Sequence, residues 1–323
     1  MIDNKTDSNE MVPHPNLPAC TWEDHGSEIH IKVPNEFDYK QNLNYLANAP
    51  NECTFHVKGQ CIYKALSLGI ETLVIEISEH KENGLIIHFL SDSRPEEKWQ
   101  RAEIARYIRE WFDLDYDLKP FYEMAKADPL LKQLVCDFYG LRVLGIPDLF
   151  EAFCWGILGQ QINLGFAYTL KKQFVEKFGE FIEWNGKKYW MFPSYNRISQ
   201  LTPADLADIK MTVKKSEYII GIAQLMANGE LSKEKLMKMA TFKEVEKRLI
   251  KIRGIGPWTA NYVLMRCLRF PTAFPIDDVG LINSVKLLLS MDRKPTKEEI
   301  LELAIPWKNL ESYTTFYLWR VLY

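Results

Sequence analysis

The sequence lacks the long hydrophobic run, the clustered cysteines and the evenly spread histidines that would mark several large classes of protein. None of its apolar runs approaches the roughly 18 residues that a membrane span needs. Its first residues, MIDNKTDSNEMVPHPN, are too polar for a signal peptide. We therefore expect a protein of the cytoplasm that has no membrane partner.

Cysteine and histidine are both distributed in a way that excludes familiar metal sites. The six cysteines are Cys20, Cys53, Cys61, Cys136, Cys154 and Cys267. They form no CxxC motif and no group of four at iron–sulfur or zinc spacing, so we expect reduced, mostly buried thiols. All six histidines lie in the first 150 residues. Any chemistry in the second half therefore has to proceed without imidazole.

The composition is that of a globular protein whose charge is unevenly divided. The chain has 323 residues, 47% hydrophobic and 26% charged, which is typical of a soluble protein of two or three domains. Residues 151–323 contain 25 Lys and Arg against 18 Asp and Glu, a net charge of +7, and residues 1–150 contain 15 against 25, a net charge of −10. A basic second half is consistent with binding to nucleic acid.

Hydrophobic periodicity predicts a sheet followed by helices. Short β-branched or alternating runs predict antiparallel strands at 28–33, 54–57, 72–77 and 85–90. From about residue 96, starting with WQRAEIARYIREWFDLD, the apolar spacing becomes helical. Further helices are predicted at 129–139, 147–163, 166–178, 203–209, 214–228, 242–251, 258–268, 278–289 and 307–322, and an exposed loop or hairpin at 183–188. The predicted fold class is α+β, with an N-terminal antiparallel sheet domain at 1–95 and a helical domain at 96–323.

The most informative segment is VEKRLIKIRGIGPWTANYVLMRCL, at 245–268, where two amphipathic runs flank a glycine turn. Gly254 and Gly256 permit φ > 0 and close backbone approach to a ligand, and Pro257 suits the first turn of a helix. Free amides at that helix start, with the positive end of the helix dipole, would bind a phosphate without reading sequence. The alternative is an ordinary corner between two helices, where a glycine ends the first helix.

With Ile252 and Ile255 around the glycines and WTANY after them, this segment resembles the helix-hairpin-helix of DNA glycosylases. Within that superfamily it is most similar to the 3-methyladenine DNA glycosylase II family. The resemblance is specific from about 147 to 323 and weaker over 28–90. It implies an all-helical helix-hairpin-helix glycosylase domain. It also implies that four hairpin residues contact DNA: Gly254, Ile255, Gly256 and Thr259.

Asp278 follows the hairpin in the segment AFPIDDVGL. In the resembled family, a Gly/Pro-rich approach ends in an aspartate at the start of the next helix, and Asp278 matches that position. A helix start stabilises the negative charge of a carboxylate. An anion beside C1′ can stabilise the positive charge that builds on the sugar, orient water, or do both. We assign catalysis to Asp278 and helix capping or packing to Asp277.

Three aromatic side chains are expected to line a pocket for a flipped base. Trp258 and Tyr262 are four residues apart on one predicted helix and share a face, and the resemblance adds Trp319, in SYTTFYLWRVLY. Alkylation at a ring nitrogen makes a purine cationic, and aromatic faces attract cations by about 0.5–2 kcal/mol. The alternative for a single aromatic is the core, to which we assign Trp111, Trp155 and Trp307.

Gln161 is a further DNA-binding candidate. The segment CWGILGQQIN, at 154–163, resembles the family's ILGQQ segment, whose helix and loop insert a side chain where the base has left the duplex. Gln161 falls on the inserting position. Some relatives carry leucine there, and an apolar wedge is the usual means of unstacking a base step. A glutamine can also fill the gap and hydrogen-bond the orphan base.

Two departures from sister families narrow the expected reaction. Bifunctional 8-oxoguanine glycosylases place a lysine in the hairpin to form a Schiff base with the sugar, whereas Trp258 stands at that place here. The adenine-mismatch and pyrimidine-damage branches carry a four-cysteine cluster after the catalytic helix, and no cysteine follows Cys267. We expect no lyase step, no iron–sulfur cluster and no other cofactor, which leaves open a monovalent cation at the hairpin.

The resemblance therefore implies a base-excision repair glycosylase that flips a damaged base and hydrolyses its N-glycosidic bond. The expected substrates are alkylated purines of the 3-methyladenine and 7-methylguanine type in double-stranded DNA. We expect a monomer, associated with the nucleoid if the source is bacterial. Two alternatives stay open: an oxidised-purine glycosylase on the same scaffold, and a non-catalytic DNA-binding helix-hairpin-helix protein.

Overall fold

The computed structural model describes residues 22–49, 51–69, 71–81, 84–90 and 94–322. The polar leader of the chain, with His14 and Cys20, lies outside the described residues. Within them, an antiparallel sheet comes first and helices dominate thereafter. This arrangement confirms the predicted α+β fold class.

The first part of the described chain is a six-stranded antiparallel sheet in the spatial order β1-β2-β6-β5-β4-β3. Its strands are β1 (Trp22–Asp24), β2 (Glu28–Lys32), β3 (His56–Lys58), β4 (Cys61–Leu68), β5 (Glu71–His80) and β6 (Gly84–Phe89). The register places Ile77 of β5 opposite both Ile62 of β4 and Ile87 of β6. All three isoleucines are fully buried, so this cross-strand row forms part of the core.

Helices account for most of the remaining described residues. They are α1 (Tyr39–Ala47), α2 (Lys98–Trp111), α3 (Lys119–Ala127), α4 (Lys132–Asp137), α5 (Leu149–Leu158), α6 (Leu164–Phe178), α7 (Tyr195–Ile198), α8 (Val213–Ala227), α9 (Lys233–Met237), α10 (Phe242–Ile250), α11 (Pro257–Arg266), α12 (Val279–Leu288), α13 (Lys297–Leu303) and α14 (Glu311–Trp319). Two short 3₁₀ turns occur at Pro203–Leu206 and Ile305–Trp307.

A small hairpin, β7 (Glu180–Trp184) and β8 (Lys187–Met191), follows α6. It includes the polar stretch that the sequence predicts as an exposed loop or a hairpin. Tyr189 of β8 packs against Ala65 and Val74 on the outer face of the large sheet. The neighbours Leu73 and Ile75 are also buried, because this stretch of β5 is covered on both faces.

The core and the cysteines agree with several sequence expectations. Trp111 and Trp307 are buried to 4% and 0% exposure, which confirms their assignment to the core. The five described cysteines are all free, and Cys53, Cys154 and Cys267 are buried. No helix in the described ranges is both long enough and apolar enough to cross a membrane.

Two helices that carry functional candidates pack unusually closely. A Cβ added to Gly156 of α5 would lie 2.8 Å from Cγ2 of Thr259 of α11. Only a glycine therefore permits this approach without a shift of the neighbouring threonine. The contact fixes α11, the second helix of the helix-hairpin-helix, against α5, the helix that precedes the loop of Gln161.

Candidate active site

The helix-hairpin-helix consists of α10, the turn at 251–256 and α11. Gly254 has a φ of +90°, and a Cβ there would overlap the ring of Tyr218, so both backbone and space require glycine. At Gly256, φ is −85° and a Cβ would meet open space. Among the described residues, the amides of Gly254 and Gly256 have no hydrogen-bond partner. These N–H groups are available to a phosphate.

Ile255 and Thr259 lie differently from the two glycines, because their side chains are buried to 3% and 1% exposure. Ile255 belongs to the hydrophobic core and its amide donates to the carbonyl of Ile252 at 3.0 Å. The hydroxyl of Thr259 accepts a hydrogen bond from Nε2 of Gln160 at 3.0 Å. Neither side chain reaches the surface, so contact with DNA at these two positions is limited to the main chain.

The loop between α5 and α6 presents Gln161 at the protein surface. Gln161 is exposed and has a φ of +56°. Its neighbour Gln160 points the other way and donates to the carbonyl of Gly254 at 3.0 Å. The buried ammonium of Lys215 donates to the carbonyls of Leu158 and Gln160 at 2.9 and 2.8 Å. The loop is thus tied to both the hairpin and α8.

Asp278 is the N-cap of α12, where its Oδ1 accepts the backbone N–H of Leu281 at 2.8 Å. The indole Nε1 of Trp258 donates to Oδ2 of the same carboxylate at 2.8 Å, and the indole Nε1 of Trp319 donates to Oδ1 at 2.8 Å. The predicted capping role of Asp277 is wrong, because the chain turns into the helix one residue later. The Asp277 side chain is exposed and lies 3.3 Å from Lys297.

The structure brings the three predicted pocket aromatics together. Trp258 and Tyr262 stack with ring centroids 5.6 Å apart, and Tyr262 and Trp319 stack at 6.3 Å, each pair at an interplanar angle of 28°. Trp258 and Trp319 are half-buried, and Tyr262 is buried. The three rings, contributed by α11 and α14, therefore form one nearly parallel set beside Asp278.

These residues line a pocket of about 580 Å³, within the range of roughly 300–1,000 Å³ that is usual for ligand sites. Trp155 also lines it, half-buried and in contact with the ring of Tyr168 at 4.6 Å. The assignment of Trp155 to the core is therefore wrong. Apart from Glu151, its helix is apolar or small-residue throughout, so the sequence pattern does not distinguish a pocket wall from the core.

The first part of the chain contributes another wall of the pocket, which the sequence did not predict. Tyr45 of α1 and Glu52, in the loop after it, both line the cavity. The Glu52 carboxylate has a partner that is distant in sequence, because it lies 2.9 Å from the ammonium of Lys171 of α6. The same ammonium lies 2.8 Å from Glu151 of α5. A contact across more than one hundred residues leaves no signal in local spacing.

Arg266 lines the pocket and has no ion-pair partner among the described residues. Its Nε donates to the carbonyl of Leu144 at 2.6 Å and its Nη1 to the hydroxyl of Tyr262 at 3.1 Å. Burial raises the pKa of Tyr262 to about 12, although the nearby guanidinium opposes this shift. The phenol therefore stays neutral in the physiological range and fixes the guanidinium by a hydrogen bond.

Among the described residues, one lysine, Lys171, lines this pocket. Burial alone would lower the pKa of its ammonium, but attraction from Glu151 and Glu52 outweighs burial and raises the pKa above the usual value. The amine is thus held protonated between two carboxylates. Within the described ranges, no group of three or more His, Cys, Asp or Glu side chains has an arrangement that would hold a metal ion.

A glycine hairpin with free amides, a surface loop beside it, and an aromatic pocket with a fixed carboxylate define the class of enzymes that remove bases from DNA. Comparison with protein-family models agrees. The model described as "HhH-GPD superfamily base excision DNA repair protein" matches residues 154–309. The model described as "8-oxoguanine DNA glycosylase, N-terminal domain" matches residues 36–153.

Curated relatives extend the match over almost the whole chain. The DNA-3-methyladenine glycosylase of Bacillus subtilis (strain 168) is 67% identical over 303 residues, which cover 94% of this chain and 100% of the relative. DNA-3-methyladenine glycosylase 2 of Escherichia coli (strain K12) is 29% identical over 182 residues, 56% of this chain and 60% of the relative. The chain therefore belongs to the HhH-GPD superfamily of base excision DNA repair proteins, and it is a DNA glycosylase.

Solved structures share the fold. A 3-methyladenine DNA glycosylase from Archaeoglobus fulgidus has a TM-score of 0.74 and 23% identity, covering 90% of this chain and 97% of its own. An 8-oxoguanine glycosylase/lyase from Clostridium acetobutylicum, in complex with double-stranded DNA, has a TM-score of 0.71 and 20% identity, covering 96% and 97%. At these identities the similarity shows the fold alone.

Proposed function

We propose that this glycosylase hydrolyses the N-glycosidic bond of alkylated purines, of the 3-methyladenine and 7-methylguanine type, and leaves the DNA strand intact. The observation that carries the proposal is the position of Asp278, whose carboxylate is fixed at the edge of the aromatic pocket by three donors. The relative with 67% identity is named a DNA-3-methyladenine glycosylase, which supports the alkyl-purine substrate.

The pocket suits a base that has been flipped out of the duplex. The faces of Trp258, Tyr262 and Trp319 offer stacking to a purine and cation–π attraction to a purine that alkylation has made cationic. Alkylation also makes the base a better leaving group. A permissive pocket can therefore still select damage, because damage lowers both the cost of flipping and the barrier to bond breaking.

In the reaction, the bond between C1′ and the base nitrogen breaks and both electrons leave with the base. Positive charge then builds on the sugar, and the carboxylate of Asp278 stabilises it. A water oxygen bonds to C1′ and loses its proton to solvent, which leaves an abasic site. No redox cofactor takes part in any of these steps.

A lyase step would need an unprotonated amine to attack the sugar. The family resemblance implies that Trp258 stands where bifunctional relatives carry their lysine. Lys171 is held in ion pairs with Glu52 and Glu151, and its raised pKa keeps it protonated. We therefore propose a monofunctional enzyme, in which Lys171 is a structural cation.

We propose that the hairpin amides bind a phosphate of the DNA and that Gln161 fills the space that the flipped base leaves. The basic second half, with a net charge of +7 over 151–323, supports a backbone-dominated interaction whose affinity falls as salt rises. The described pocket is complete within one chain, so we propose a monomer. We place it in the cytoplasm.

The test is base release from duplexes that contain 7-methylguanine, 3-methyladenine, hypoxanthine or 8-oxoguanine, with free base scored separately from strand breaks. Asp278→Asn keeps the size of the side chain but removes the charge, so we expect the single-turnover rate on methylated purines to fall at least about 100-fold. Binding to DNA should persist. Asp277→Asn is the matched control: Asp277 lines the same pocket, but its exposed carboxylate is paired with Lys297 and, unlike Asp278, accepts no hydrogen bond from the pocket tryptophans, so it should retain nearly the full rate.

An Asp278→Asn enzyme with normal turnover would remove the catalytic assignment. Strand breaks that accompany base release would contradict the monofunctional proposal. DNA binding without release of any base would leave a non-catalytic binding protein.

Excision of oxidised purines is the second candidate, and one observation favours it. The family model that matches residues 36–153 takes its name from 8-oxoguanine DNA glycosylase. The same panel decides between the two, because release of 8-oxoguanine without release of methylated purines would establish the second candidate.

A further inference from the structure

Both oxygens of the Asp278 carboxylate are engaged by tryptophan side chains from different helices. Trp258, on α11, donates to Oδ2, and Trp319, at the end of α14, donates to Oδ1, both at 2.8 Å. The backbone N–H of Leu281 adds a third donor, to Oδ1. A carboxylate offers about four acceptor sites, so its rotation about the Cβ–Cγ bond would break at least one hydrogen bond.

The close approach of Trp319 to this carboxylate depends on Gly280. A Cβ added to Gly280 would lie 2.9 Å from Oδ1 of Asp278, 3.1 Å from Cδ1 of Trp319 and 3.2 Å from its Nε1. The glycine thus leaves open the space in which the indole edge meets the carboxylate. This is an independent sign that the indole–carboxylate contact, and not only the indole face, is part of the site.

We propose that Trp258 and Trp319 are positioning residues of the reaction: their indole N–H groups hold the Asp278 carboxylate as a fixed anion directed at the sugar of the flipped nucleotide. Hydrogen bonds to a charged acceptor are stronger than neutral ones. With donors on both oxygens, the carboxylate is held in place beside the sugar, where its charge stabilises the sugar cation. This inference rests on the proposed glycosylase reaction.

The competing role for the two tryptophans is that of pocket walls only. A wall acts through the face of its ring, and phenylalanine keeps an aromatic face for stacking, although it attracts a cation less strongly. A positioning residue acts through its N–H, which phenylalanine lacks. The substitutions Trp258→Phe and Trp319→Phe therefore separate the two roles, while alanine would remove both.

The first measurement is the single-turnover rate of base release and the Kd for DNA that carries an abasic site, for wild type, Trp258→Phe and Trp319→Phe. We expect each variant to lose roughly 10- to 100-fold in rate, the range that a hydrogen bond to a charged group supports. The Kd should change by less than about threefold, because the hairpin contacts remain. An unchanged rate would overturn the proposal.

The second measurement compares two lesions, cationic 7-methylguanine and neutral hypoxanthine. Asp278 acts on the sugar, which both substrates share, so a lost donor should lower both rates by the same factor. A lost wall should lower the rate on the cationic base more, because phenylalanine attracts a cation less strongly than tryptophan does. A change in the ratio of the two rates would therefore overturn the positioning role.

The third measurement places both substitutions in the Asp278→Asn background. If the indoles act through the carboxylate, Trp258→Phe should cause no further loss once the charge is absent. Equal losses in both backgrounds would show that the indole acts independently of Asp278.

Gly280→Ala is a further test of the positioning role of Trp319. It still applies if a tryptophan variant fails to fold. It removes no functional group, but its methyl group would crowd both Oδ1 of Asp278 and the edge of Trp319 and so force the two apart; the rate should fall by the same factor on both lesions. A folded Gly280→Ala enzyme at the wild-type rate would contradict the proposal. If wild type itself releases no base, the proposed function fails, whereas active wild type with fully active variants refutes this inference alone.

Discussion

At the scale of single residues, Gln161 combines an exposed side chain with a left-handed backbone. A non-glycine residue in that region costs roughly 1 kcal/mol or more, and such strain persists only where the surroundings impose it. Here the ammonium of Lys215 holds the loop by hydrogen bonds to the carbonyls of Leu158 and Gln160. The strained residue is thus supported by its neighbours, and its side chain is exposed.

If Gln161 fills the space of the flipped base, Gln161→Ala should slow base release from a fully paired duplex by roughly tenfold. The same variant should be nearly as fast as wild type on a lesion in an unpaired bulge, because that base needs little unstacking. The check is the ratio of single-turnover rates on the two substrates. Gln160→Ala is the control, since it disturbs the hairpin and should affect both substrates alike; equal losses for Gln161→Ala would remove the wedge role.

The site residues that could be predicted are those that lie together in short segments of the sequence. Trp258, Tyr262 and the hairpin glycines share one segment, and Asp278 follows at a spacing that the family resemblance interprets. Arg266 was missed, because an arginine in an otherwise apolar helix turn does not show that its partners are a phenol and a distant carbonyl. Its environment exists only once the chain has folded.

At the scale of elements, the two glycines of the hairpin make different demands. Gly254 is required by its positive φ and by the ring of Tyr218, whereas Gly256 has an ordinary φ and empty space beside it. The first is therefore needed for the turn itself. The second is needed only if something outside the protein approaches that backbone.

This contrast gives a prediction about phosphate binding. Gly256→Ala should lower the free energy of unfolding by less than about 1 kcal/mol, because the methyl group meets no atom of the protein and the change only replaces a glycine N-cap with alanine. It should weaken DNA binding by roughly tenfold or more, since the methyl group would stand where a phosphate approaches the amides. Chemical unfolding and DNA titration at fixed salt measure the two effects.

Gly254→Ala provides the comparison for this prediction, and it should lose stability as well as DNA affinity. A Gly256→Ala protein with wild-type affinity would show that the hairpin amides do not hold a phosphate. The structural role of the turn would be unaffected by that outcome.

Two elements of the first part of the chain were not predicted from sequence, because a buried polar residue interrupts the apolar pattern of each. Strand β4 was missed because Lys64 interrupts it; its ammonium is buried, donates to the carbonyl of Thr54 and lies over the ring of Trp111. Helix α1 was missed because Asn42 occupies a core position, where its side chain bonds the carbonyl of Gly140. Such partners are about ten or one hundred residues away, beyond any local window.

At the scale of the whole molecule, the acidic first part and the basic second part meet at the pocket. Glu52 belongs to the first part and Lys171 to the second, and their ion pair lies in the pocket wall. The oxygen Oε1 of Glu52 also accepts the amides of Cys53 and Thr54. The carboxylate therefore shapes its own loop and fastens that loop to the helical part.

Removing this cation should destabilise the protein strongly. Lys171→Met would leave Glu52 and Glu151 as buried carboxylates without their shared partner, a loss of about 3–5 kcal/mol. Lys172→Met is the matched control, because that side chain is 45% exposed and lies 3.9 Å from Glu176; it should change stability by less than about 0.5 kcal/mol. Chemical unfolding of both variants measures the difference, and similar stabilities would contradict it.

The stability difference between wild type and Lys171→Met should depend on pH if it arises from charge. Burial alone would raise the pKa of Glu52, but attraction and hydrogen bonding from Lys171 outweigh burial and lower it below the usual 4.5. The stability that this carboxylate contributes is therefore present above about pH 4.5 and is lost as pH falls through the lower, folded-state pKa. In Lys171→Met, protonation of Glu52 instead relieves an uncompensated charge.

The gap in unfolding free energy between wild type and Lys171→Met should therefore be widest near neutral pH and narrow as pH falls through 4.5, because the buried Glu52 takes up a proton above 4.5 in the variant and below 4.5 in wild type. Unfolding curves for both proteins across that range test this directly. A gap that stays constant would mean that Lys171 stabilises the junction mainly through the contact of its ammonium with the ring of Trp155, which does not depend on the protonation of Glu52. The ion pair between Glu52 and Lys171 would then contribute little to holding the pocket wall together.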